Sequence, residues 1–169
     1  MIKISGALLV IGAFFYIGQN VAQNLKKRAL TLSELIAALQ IIKSEIVYKG
    51  APLCEIVSGL AERGGSFTGK FFGDVAEKMK AQRQSVFYAA WVESLARLCF
   101  LNEDDRALVC ELGNVLGQHE AQTQEEAISC AAKRLELKLR AAEDEYEKKG
   151  KLYRTLGTGF GVITVLILI

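Results

Sequence analysis

Proline occurs once in the 169 residues, at Pro52, and no stretch sustains the period-two alternation of a half-buried strand. Long helices are therefore permitted and nothing asks for a sheet, so an all-α fold is expected. Histidine also occurs once, at His119. A Ser-His or Cys-His nucleophile would have to be built around that single residue in a polar Gln118-His119-Glu120 turn. A di-iron bundle needs a Glu-x-x-His motif on each of two helices and is excluded. The four cysteines, Cys54, Cys99, Cys110 and Cys130, form neither a CxxC pair nor a zinc-spaced cluster. Each has apolar neighbours, so they are expected as buried thiols of a protein in a reducing compartment. No repeat of fixed period is visible.

A phosphate loop is nearly present but incomplete. Gly64-Gly65-Ser66-Phe67-Thr68-Gly69-Lys70 matches GxxxxGK and then places Phe71 where a magnesium-holding Ser or Thr is needed. The segment before it reads as a helix, whereas such loops follow a strand, so the glycines are read as a helix connection. Glu103-Asp104-Asp105 is likewise read as a helix start rather than a calcium site, because adjacent acids point to different sides of a helix. No catalytic residue, metal, cofactor or small-molecule substrate is expected, and the chain is read as a non-enzyme.

Positive charge is scarce where nucleic-acid binding would need it. Lys26, Lys27 and Arg28 cluster near the start and Lys148, Lys149, Lys151 and Arg154 near the end, while Ala29 to Glu147 carries 13 Lys/Arg against 19 Asp/Glu. A region of net −6 has the wrong sign for clamping phosphates, which excludes nucleic acid as a partner. Glu143, Asp144, Glu145 and Glu147 are read with their neighbouring lysines as a solvated helix face.

Outside the two basic clusters lie uncharged runs. Residues 4–25 are free of charge, and as a helix they reach about 33 Å, enough to cross a hydrocarbon core. Gln19, Asn20, Gln23 and Asn24 share one face of the last turns, which suits the headgroup level. A cleaved signal peptide is the rival reading, although Val21-Ala22-Gln23-Asn24 lacks a small-x-small cleavage pattern. At the other end, residues 155–169 make only about 22 Å of helix, so they either cross a thinned bilayer or insert halfway beside the first segment. Gly157 and Gly161 form a GxxxG pair suited to close helix packing. Lys26, Lys27, Arg28, Lys151 and Arg154 are expected at the membrane interface, placing the middle of the chain in the cytoplasm.

Between the apolar runs the pattern is helical throughout. Thr31-Leu32-Ser33-Glu34 has capping-box spacing, and Leu35, Leu39, Ile42 and Ile46 follow until Gly50 supplies a stop. Pro52 suits the opening turn of the next helix, with Leu53, Ile56, Val57 and Leu60 on one face. Phe67 to Met79 and Phe87 to Leu98 form two more apolar faces, with Trp91 as a core anchor. Asn102 opens a fifth helix that Gly117 ends. The last, from Thr123, carries Ile128, Ala132, Leu135, Leu139, Ala142 and Tyr146 at steps of four and three and continues through Tyr153 and Leu156 into the apolar terminus. The expected architecture is an antiparallel bundle of about six soluble helices between an N-terminal and a C-terminal membrane helix. Its boundaries are 1–28, 29–150 and 151–169.

Several stretches carry a family likeness: Leu35 to Leu39, Glu45-Ile46-Val47-Tyr48, Ala51-Pro52-Leu53, Leu116-Gly117-Gln118 with Gln124, and Tyr153-Arg154-Thr155-Leu156-Gly157 before an apolar end. In this order and spacing the chain resembles the stage III sporulation protein AB family of endospore-forming bacteria nearly end to end. His119-Glu120 departs from the pattern, where a Ser-Asp-like pair is expected. Leu32 to Leu60 also looks like the cytoplasmic F domain of type II secretion platform proteins. The resemblance implies a membrane platform subunit of the secretion-like channel between mother cell and forespore, sited in the mother-cell (outer forespore) membrane. It would contact the stage III sporulation protein AA ATPase and other channel subunits. Under it, Glu45, Tyr48, Pro52, Leu53, Leu116, Gly117, Gln118, Tyr153 and Leu156 are structural or contact residues. The alternative is a membrane-tethered regulatory adaptor that binds a soluble signalling protein.

Overall fold

The computed structural model describes residues 2–81, 87–116 and 121–168, with the side chains of 13, 16–81, 87–116, 122–150, 152 and 155. Every regular element among the described residues is helical, with no strand among them. Helix α1 (Ile2–Ser44) ends in a π-helical turn (Glu45–Lys49), followed by α2 (Leu53–Arg63), α3 (Gly69–Ala81) and α4 (Phe87–Ser94). A short 3-10 turn (Leu95–Arg97) leads to α5 (Glu103–Val115) and then α6 (Ala121–Leu168). The chain forms two compact units, Met1–Ala29 with Arg140–Ile169, and Leu30–Leu139.

In the larger unit the apolar stripes fold inward as their spacing predicts. Leu32, Leu35, Leu39, Ile42 and Ile46 are buried on α1, Ile56, Val57 and Leu60 on α2, and Ile128, Ala132 and Leu135 on α6. Helices α2, α3, α4 and α5 pack each on the next. At the centre, the Trp91 ring meets Phe71 edge-on at 4.8 Å between centroids, and Phe87 and Phe72 stand 5.3 and 6.2 Å away. Its indole Nε1 donates to the Val109 carbonyl at 2.8 Å. A Cβ at Gly113 would come within 2.2 Å of the indole Cδ1, so only glycine fits the position one turn after Val109.

Two loop ends follow the sequence closely. Gly50 adopts φ 59°, where glycine avoids the Cβ clash, and its N–H bonds the Glu45 and Ile46 carbonyls to close the π-helical turn. Pro52 then stands at the N-cap of α2, with its carbonyl accepting from Glu55 and Ile56. Asn102 caps α5 through a 2.8 Å bond from the Asp105 N–H. The Asp105 carboxylate is fully buried and pairs with Lys138 of α6 at 3.4 Å, a long-range partner that the helix-start pattern does not reveal.

Other features depart from the sequence reading. The capping-box spacing at Thr31 to Glu34 opens no helix, because α1 runs straight through it and Thr31 is buried mid-helix. Its backbone N–H groups have partners within the helix, which leaves Glu34 to cap another one. Glu34 Oε2 accepts from Phe67 N at 3.0 Å, Thr68 N at 2.9 Å and Thr68 Oγ1 at 3.0 Å, at the start of α3. The four thiols are also not the buried set expected: Cys99 and Cys130 are exposed, Cys54 and Cys110 half-buried, and all are free. Apolar neighbours in sequence do not share a helix face, and Cys130 stands off the stripe of Ile128, Ala131, Ala132 and Leu135.

In the smaller unit α1 and α6 run antiparallel over small residues. Ala22, Ala29, Ala142 and Gly150 are buried, a Cβ at Gly150 would stand 3.8 Å from that of Ala22, and Arg28 bonds Glu145 at 3.2 Å. The two apolar runs expected to enter a membrane, 4–25 and 155–169, fall largely on side chains outside the described ones. Among the described residues, no helix is long and apolar enough to cross a membrane.

An ion cluster ties α3 to the turn after α4. Asp74 meets Arg97 at 3.1 Å and Lys78 at 3.2 Å, and Lys78 also reaches Glu93 at 3.3 Å. The Arg97 guanidinium above all, with help from Ser94 and Lys78, holds the Asp74 carboxyl below its ordinary 3.8, against a smaller opposing effect of burial.

Three outcomes are expected. Gly113→Val drives a side chain into the indole seat and costs about 1–3 kcal/mol, read by denaturation of the full chain through fluorescence of its one tryptophan. Glu34→Ala strands the donors at the start of α3 and costs about 1–3 kcal/mol, whereas Glu34→Gln, which keeps an acceptor, loses less. For Asp74, a depressed folded pKa means stability present above the unfolded value and lost as pH falls through the folded one. Asp74→Asn is thus less stable than the parent at neutral pH, and the gap closes as the solution is acidified below pH 3.8.

Candidate interaction surface

No three His, Cys, Asp or Glu side chains among the described residues come together as metal ligands, and His119 lies outside the described residues. The GxxxxGK-like loop has its Phe67 and Thr68 N–H groups occupied by Glu34, so a phosphate entering there would have to displace an internal carboxylate.

The most distinctive outward feature is the junction from α1 to α2. Its π-helical turn buries Ile46 and turns Val47 and Tyr48 outward, leaving Tyr48 85% exposed, the most exposed of the large apolar side chains among the described residues. Wide turns of this kind frequently mark functional positions. Glu45 is tied to Lys49 at 2.7 Å, Pro52 is exposed and Leu53 half-buried. Beside them runs a groove of about 430 Å³, lined by Ile41, Ser44, Glu45 and Lys49 on one wall and by Glu55, Ile56, Gly59, Leu60 and Arg63 on the other. Its floor is aliphatic and its rim carries both charges, an arrangement suited to protein contact.

Four residues singled out by sequence, Glu45, Tyr48, Pro52 and Leu53, come together at this junction. Leu116, by contrast, is buried at the end of α5, and Gly117 and Gln118 lie outside the described residues. Lys26 is exposed, Lys27 half-buried, and Arg28 bonds Glu145. Lys151, Tyr153, Arg154, Leu156, Gly157 and Gly161 belong to the part of α6 whose side chains are outside the described ones. Sequence reasoning missed Ile41, 43% exposed at the groove edge. A signal was available, since Ile41 falls off the stripe of Leu35, Leu39, Ile42 and Ile46 and is an isoleucine with no core to enter.

Comparison with known proteins gives a single answer. The family profile described as stage III sporulation protein AB matches residues 3–169. The stage III sporulation protein AB of Bacillus subtilis (strain 168) is 26% identical over 171 residues, covering 99% of each chain. A solved structure of a stage III sporulation protein AB superposes with a TM-score of 0.65 at 24% identity, covering 71% of this chain and 96% of that one, and so shares the fold. With the match running almost from end to end, the chain belongs to the stage III sporulation protein AB family.

Proposed function

We propose that this sporulation protein is a non-enzymatic membrane platform subunit of the secretion-like channel complex between mother cell and forespore. Its helical bundle lies in the mother-cell cytoplasm, held at the outer forespore membrane by the two terminal apolar runs. There it couples the stage III sporulation protein AA ATPase to the other channel subunits. The observation that carries the reading is the family match over residues 3–169. Two features of the chain support it: the uncharged runs outside both basic clusters, and the loop occupied by Glu34 where a nucleotide enzyme would hold phosphate.

The contact for the ATPase is the α1–α2 junction. Tyr48 offers a large aromatic side chain already in solvent, and aromatic anchors dominate protein interfaces. Glu45 and Pro52 flank it, and the groove next to Ile41 receives the partner's apolar side chain.

Crosslinking, detergent extraction and affinity purification of the tagged chain from sporulating cells test the reading. The AA ATPase and other channel subunits are expected to co-purify. Recovery of soluble signalling proteins without any channel subunit would instead identify a membrane-tethered adaptor. Tyr48→Ala is expected to lower recovery of the ATPase about tenfold or more, the effect of losing a hot-spot anchor, while leaving the unfolding midpoint of the chain unchanged. Titration of the full chain with magnesium ATP is expected to give no saturable signal.

A further inference from the structure

The antiparallel pairing of α1 and α6 has a result that neither basic cluster shows alone. Ala22 stands beside Gly150, and Arg28 is bonded to Glu145. This register brings Lys26 and Lys27 level with Lys148 and Lys149 to within about one helical turn, ~5 Å along the axis. Two clusters some 120 residues apart in sequence thus meet in one plane. Lys26, Lys148 and Lys149 are exposed. Glu145 is shared, accepting from Arg28 at 3.2 Å and from Lys149 at 2.7 Å, so one carboxylate serves two cations. Residues 26–28 and 145–151 together carry six basic side chains against two acidic ones, Glu145 and Glu147. Because the helices are antiparallel, residues 4–25 of α1 and 155–168 of α6 extend away from this plane in the same direction.

We propose that Lys26, Lys27, Lys148 and Lys149 form a cationic collar that binds the phosphates of anionic phospholipid headgroups. The inference rests on the membrane reading above and deepens it by naming the lipid. The run 4–25 begins at this plane and the second apolar run six residues after Lys149, ~9 Å further along the axis, so the collar stands on the headgroup side of the acyl chains. Its ammonium groups act as point charges, and each is worth roughly a fivefold gain in affinity for an anionic surface. Attraction of this kind weakens as salt shortens the screening length.

The test uses the full chain in nonionic detergent, titrated with short-chain phosphatidylglycerol, short-chain phosphatidylcholine or inorganic phosphate, with the unfolding midpoint as readout. Phosphatidylglycerol is expected to raise the midpoint in a salt-sensitive manner, and the other two to leave it in place. The double variant Lys26→Gln/Lys148→Gln, which changes only exposed side chains, is expected to need about 25-fold more phosphatidylglycerol for the same rise. Equal response to phosphatidylcholine or to inorganic phosphate, or an unchanged double variant, overturns the collar. Flotation with phosphatidylcholine vesicles after alkaline wash separates the two layers of the argument. A chain that floats without preferring phosphatidylglycerol loses only the collar, whereas one that fails to float loses the membrane reading and the collar with it.

Discussion

The larger unit depends on how one indole is seated. Trp91 is buried against Phe71, Phe72 and Phe87, and a buried indole N–H needs an acceptor. Val109 supplies it although its carbonyl already belongs to the α5 ladder, because a carbonyl oxygen has two lone pairs and accepts twice. The helical partner of that carbonyl is the N–H of residue 113, one turn on. An indole close enough to reach Val109 must therefore lie over residue 113, and a glycine stands there. Aromatic packing, polar satisfaction and one glycine are thus a single constraint that joins α3, α4 and α5.

Patterns whose consequences are local were legible in the sequence. Asn102 before three acids, Gly50 before Pro52, and the apolar stripes of α1 and α6 each specify structure within a turn or two, and each forms as its chemistry asks. Features whose partner lies far along the chain were not legible. Glu34 had the spacing of a local cap but caps a helix more than thirty residues away. Asp105 suited the helix dipole, yet its buried carboxylate is answered by Lys138 from another helix. Of the interaction surface, Glu45, Tyr48, Pro52 and Leu53 were legible as a group only through family likeness. Ile41 was legible as an isoleucine off the buried stripe, but the groove beside it was not, because its second wall comes from α2.

Glu34 also links fold and function. A glycine-rich connection ahead of a helix presents free N–H groups and a positive helix end, the arrangement that phosphate-binding proteins exploit. Here that site is filled from within the chain, which turns a latent anion site into a clamp between α1 and the start of α3. The loop's donors are thereby taken up in holding the larger unit together.

The π-helical turn at Glu45–Lys49 has an evolutionary consequence. Such a turn arises when a helix accommodates one additional residue without breaking. A relative with one residue fewer here would close an ordinary α-turn, and everything downstream would rotate by about 100°. Its counterpart of Tyr48 would then face a different direction even though neighbouring residues aligned perfectly. Across the family, the placement of a single-residue gap in this segment is a better guide to whether the aromatic surface is shared than the identity of the residue aligned with Tyr48.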